Sequence, residues 1–94
     1  MNQADKLAAL KADLQIMTDR MDVPLLVPLL GGAESMIERE GILLTDSEED
    51  GLLTVMYAAY LYRKRKESDT AMPRMLRYAL NNRLFSQKAG DASG

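Results

Sequence analysis

Apolar residues recur along this chain at spacings of three and four, and four stretches carry the pattern. In the first, residues 3–17, Leu7, Leu10, Leu14 and Met17 form a narrow stripe, with Asp5, Lys6, Lys11 and Asp13 lying off it. That predicts an edge helix with one face to bury. The second, residues 22–40, opens with Asp22 as an N-cap and Pro24 in the first turn, where a missing N–H costs little. Leu26, Leu29, Leu30, Ala33, Met36 and Ile37 follow a helical period, and Gly41 is suited to terminate the helix. Pro28 and the pair Gly31-Gly32 interrupt the pattern, which predicts a kink or a late start near Pro28.

The third stretch, residues 46–66, starts at Thr45 or Asp46, each with a glutamate three residues on (Glu48 or Glu49) in capping-box spacing. Acidic residues crowd its start and Arg63-Lys64-Arg65-Lys66 its end, matching the helix dipole at both termini. Its body, GLLTVMYAAYLY, is apolar almost all round and so predicts the central, mostly covered helix. A polar turn leads to the fourth stretch, residues 73–88, with Pro73 at its first position and Met72, Met75, Leu76, Ala79, Leu80 and Leu84 as core face. Residues 89–94 are small and polar, a tail expected to be flexible. The reading is therefore all-α: one bundle of about four helices over residues 1–88, with no strand pattern or internal repeat.

Composition sharpens this picture. A chain of 94 residues builds one modest core, yet 47% of its residues are apolar, a supply large enough to leave surface for partner subunits. Cys and His are both absent, which excludes disulfides, thiolate sites and imidazole or thiol catalysis. The N-terminal stretch carries charges every few residues and no apolar signal-peptide region. The longest apolar run, Leu52 to Tyr62 interrupted by Thr54, falls short of the roughly 20 residues that span a bilayer. The expectation is a soluble protein without membrane contact. The net charge of −2 conceals an asymmetry: residues 1–50 carry four basic and eleven acidic groups, residues 51–94 eight and three. Such a split fits two differently decorated solvent faces; it also suits head-to-tail contacts between copies, which close into rings when the rotation permits.

Candidate chemistry is sparse. Asp46, Glu48, Asp50 and Gly51 imitate the first half of a calcium loop, but Tyr57 stands where the bidentate glutamate is needed. Ser35 and Ser47 have no activating partner, and Gly31-Gly32 lacks the lysine of a phosphate loop. No catalytic, cofactor-binding or metal-ligating residue is assigned, and no enzyme activity is expected. Arg63 and Arg65, within the basic end of the third helix, could serve a nucleic-acid patch or complement the dipole. On the fourth helix, Arg74, Arg77, Asn81 and Lys88 fall on one stripe with Tyr78 and Phe85 beside them, and large aromatics are out of place on a face meant for water. Arg83 falls instead on the apolar stripe, and a buried arginine needs a carboxylate. The expectation is that this helix buries both faces in an assembly and that Arg83 pairs across a subunit contact. Arg63, Arg65, Arg74, Arg77, Tyr78, Asn81, Arg83, Phe85 and Lys88 are the candidate partner-interface residues.

The run Met36-Ile37-Glu-Arg39-Glu40-Gly41-Ile42, the block YAAYLYRKR (Tyr57 to Arg65) and the block MPRMLRYALNNRL (Met72 to Leu84), in this helix order, resemble the small head–tail connector (adaptor) proteins of tailed phages. The resemblance covers about residues 5–88, and Pro28 with Gly31-Gly32 departs from the smoother second helix of that family. It implies a homo-oligomeric ring, commonly of twelve copies, docked beneath the portal protein at the head vertex. Such a ring extends the channel for double-stranded DNA, without sequence readout, and seats a tail or tail-completion protein. It also implies a place in the virion neck, with the host cytoplasm during assembly, and portal contacts through Tyr78, Phe85, Lys88 and the chain from Ala89 onward. The alternative from another class is a small helical DNA-binding regulator using the basic second half.

Overall fold

The computed structural model describes residues 1–15 and 23–93, and among them every regular element is an α-helix: α1 (Gln3–Leu14), α2 (Val23–Arg39), α3 (Glu48–Lys66) and α4 (Arg74–Ser93). The all-α, four-helix reading holds. Asn2 caps α1 by accepting the Asp5 N–H at 2.7 Å. The helix closes on Gln15, a left-handed residue (φ 53°) whose N–H returns to the Lys11 carbonyl. The described part of α1 therefore stops short of the expected Met17, and both Met17 and the expected cap Asp22 lie outside the described residues.

The expected late start in α2 does not occur, since the helix begins at Val23 and continues without a break past Pro28 and both glycines. Pro28 leaves the Pro24 carbonyl without its helical donor, but both prolines are exposed near the helix start, where water can serve that oxygen. Gly41 ends this segment as expected, with φ 98° and its N–H on the Glu38 carbonyl. That conformation needs glycine, and Leu84 of α4 packs 3.5 Å from where a Cβ would stand.

The third helix is the axis of the molecule. It packs against all three others, most extensively against α2. Leu53, Val55, Tyr57, Ala58, Ala59, Tyr60 and Tyr62 are buried on it, and they meet Leu10 of α1, Leu26, Leu30, Ala33 and Ile37 of α2, and Leu76 and Leu80 of α4. Its cap is Ser47, not Thr45 or Asp46: the Ser47 hydroxyl accepts the Asp50 N–H at 3.1 Å. Only one stripe of its apolar body stays open, at Leu52 and Met56.

The fourth helix runs back along α3, its start beside Arg63 and its middle beside Asp50. It continues through Ser93, beyond the Lys88 boundary expected from sequence. Leu76 and Leu80 are buried beneath it, but Met75, expected in the core, is 75% exposed. Met75 lies about 100° round the helix from Leu76, which carries it off the buried stripe. No helix among the described residues is long and apolar enough to cross a membrane.

Candidate partner interface on the fourth helix

Three polar ties hold the inner side of α4. At its start, Arg77 makes a bidentate pair with Glu40, its Nη1 donating at 2.7 Å and its Nη2 at 3.1 Å. Farther along, the Gln87 side chain pairs with the extended loop after α2, accepting the Leu43 N–H at 2.9 Å and donating to the Leu43 carbonyl at 2.6 Å. Between them lies the Arg83–Asp50 pair, in which Arg83 Nε donates to Oδ1 at 2.6 Å and Nη2 to Oδ2 at 3.1 Å.

Asp50 is 1% exposed, and its charge is matched in full. Besides the arginine, its Oδ2 accepts the Thr45 N–H at 2.7 Å and the Thr45 hydroxyl at 2.8 Å. Burial pushes the Asp50 carboxyl up, but the hydrogen bonds from Arg83 and Thr45 outweigh it and hold the group below the usual carboxylate range. The hydrogen bond to Asp50 raises Arg83 in turn, and that to Glu40 raises Arg77. The Tyr57 hydroxyl is pushed up by burial and by the nearby Glu40 charge.

Arg83 is thus corrected: its carboxylate comes from its own chain, not from a neighbouring subunit. The need for a counter-charge was legible, but Asp50 was grouped with the acids that decorate the start of α3. Its phase was the available signal, because Asp50 precedes Leu53, Thr54 and Tyr57 by three, four and seven residues and so shares their buried side. Arg77 is likewise engaged within the chain, by Glu40, and is half-buried rather than free on an outer face.

The rest of the candidate set divides by place. Arg63 and Arg65 are exposed at the end of α3, with Arg63 3.6 Å from Asp13. Their neighbours Lys64 and Lys66 lie over the Tyr60 and Tyr62 rings at 5.7 and 5.4 Å. Three of these four cations therefore already have partners. Arg74, Tyr78, Asn81, Phe85 and Lys88 are all exposed, and their spacings of three, four and seven put them on the outward side of α4. Tyr78 is 60% and Phe85 73% exposed, the largest aromatic surface on the described chain.

A feature that sequence reasoning missed flanks this ridge. Between α3 and α4 lies an open groove of about 330 Å³, lined by Leu52, Leu53, Met56, Ala79, Asn82 and Arg83, with the exposed Glu49 at one end. Met56 also lines a second hollow of about 140 Å³ that reaches Met75, Pro73, Arg63 and Asp13. Its signal was the i, i+4 pair Leu52–Met56, hidden because α3 is apolar on nearly every side. No cluster of acidic, His or Cys residues among those described could hold a metal ion. Comparisons of the chain with protein-family models, with curated proteins and with solved structures find no match.

Proposed function

We propose that this chain is a non-catalytic structural subunit that assembles with copies of itself, specifically a head–tail connector (adaptor) subunit of a tailed phage. The observation that carries the reading is the outward side of α4, where Tyr78 and Phe85 stand exposed among Arg74, Asn81 and Lys88. Exposed aromatics rimmed by polar groups are what a protein interface uses as anchors. The connector identity itself rests on the resemblance of the blocks at Tyr57 to Arg65 and Met72 to Leu84. On this reading copies form a ring, commonly of twelve, beneath the portal in the virion neck after assembly in the host cytoplasm. DNA passes through that ring by shape and charge alone, and a tail or tail-completion protein seats on its far side.

The test is co-sedimentation with the portal protein encoded in the same genome, alongside a gel-shift assay with a short duplex. Portal-dependent assembly into a ring supports the connector. A chain that ignores portal but retards the duplex is instead a DNA-binding regulator acting through Arg63 and Arg65.

A further inference from the structure

We propose that the α3–α4 groove receives the outward ridge of α4 from a second copy of this chain, so that subunits join head to tail. The inference rests on the homo-oligomeric reading above and names its contact. The groove is apolar and open, with Leu52 48% and Met56 37% exposed, and Met56 carries it on to the second hollow, where Met75 is 75% exposed. Methionine side chains adapt to an inserted partner. The ridge supplies what such a groove lacks, two large rings seven residues apart on one side of a helix.

Geometry makes the contact heterologous. Met75 and Ala79 line the hollows along α3, whereas Tyr78 and Phe85 point to another side of the same helix. A subunit therefore cannot fill its own groove with its own ridge, and joining unlike surfaces leaves one of each free for the next copy. Charge selects the same pairing. Arg74 and Lys88 flank the ridge, and α4 carries no acidic residue between them. Glu49 lines the groove and is exposed, and the exposed Asp46 and Glu48 precede it at the start of α3. Ridge against ridge would oppose like charges; ridge against groove opposes unlike ones.

The experiment is light scattering on eluting chain from about 10 μM to about 1 mM, a range that captures weak self-association. Its variants are Met56→Lys or, should that lose helical circular dichroism, Leu52→Ser for the groove, and the double variant Tyr78→Ser/Phe85→Ser for the ridge. Wild type is expected to grow beyond a dimer with concentration, and each variant alone to associate roughly tenfold or more weakly. An equimolar mixture of a groove variant and the ridge variant keeps one intact groove and one intact ridge, so it should form a dimer and stop there. A wild type that stays monomeric, a variant with wild-type mass, or a mixture that stays monomeric overturns the contact. A monomeric chain that still binds portal overturns this contact and leaves the connector reading standing. Normal head-to-tail association without portal binding does the reverse.

Discussion

At the scale of single residues, the Asp50–Arg83 pair is where the sequence was half readable. Arg83 stood out because a cation on an apolar stripe demands an explanation. Its partner did not, because four acids within five positions (Asp46, Glu48, Glu49, Asp50) look alike until their phase against Leu53 and Tyr57 is taken. The structure turns that misfit into a stability prediction. Arg83→Met would leave a buried carboxylate held by Thr45 alone and should cost about 3 kcal/mol, read as the fall in urea midpoint. Asp50→Asn should cost less, because Arg83, with its side chain 15% exposed, can reach water. Equal losses would mean that desolvation of Asp50 is not what the arginine offsets. A pH dependence follows from the same site. Asp50 binds its proton less readily folded than at its ordinary value of 3.8, so its contribution is complete above that value. It fades as pH falls through 3.8 and the lower folded value. Wild type should therefore lose more stability between pH 6 and pH 3 than Arg83→Met does, and parallel pH curves would refute the assignment.

At the scale of elements, all four helices were legible because each carries its own period and its own punctuation, such as Pro73 at the entry to α4 and Gly41 after α2. What misled was local propensity in α2. Pro28 and Gly31-Gly32 would disfavour an isolated helix, but Leu26, Leu30, Ala33 and Ile37 are fully buried against the rest of the core, and that burial keeps the segment helical past them. Tertiary packing of this kind is spread over distant segments, so no local window of sequence displays it. Gly31 is therefore a removable weakness of α2. Nothing lies within 4 Å of the Cβ that an alanine would add there, and the backbone is helical. Gly31→Ala should stabilise by about 0.5–1 kcal/mol and raise the melting temperature by roughly 4 °C. A lower melting temperature would show that this part of α2 needs the freedom of glycine.

At the scale of the whole molecule, the fold draws on one side of α4 and the proposed self-association on another. The inner side of α4 is committed within the chain through Leu76, Leu80, Arg77, Arg83 and Gln87. The outer side, with Tyr78 and Phe85, contributes almost nothing to the fold because its rings remain in solvent. Sequence alone could place both aromatics on the polar face, but it could not say which cations of α4 were already paired within the chain, since Glu40 and Asp50 lie 37 and 33 residues from Arg77 and Arg83. The separation has a measurable form. Phe85→Ser should leave the urea midpoint within about 0.5 kcal/mol of wild type while weakening self-association, whereas Arg83→Met should lower the midpoint first. Salt offers a second handle on the outer side. If Arg74 and Lys88 meet Glu48 and Glu49 of a neighbour, raising salt from about 0.1 M to about 1 M shortens the screening length from about 10 Å to about 3 Å and should weaken association several-fold without moving the melting temperature in step. Association that strengthens with salt would place the driving force wholly in the rings and methionines and remove the charges from the contact.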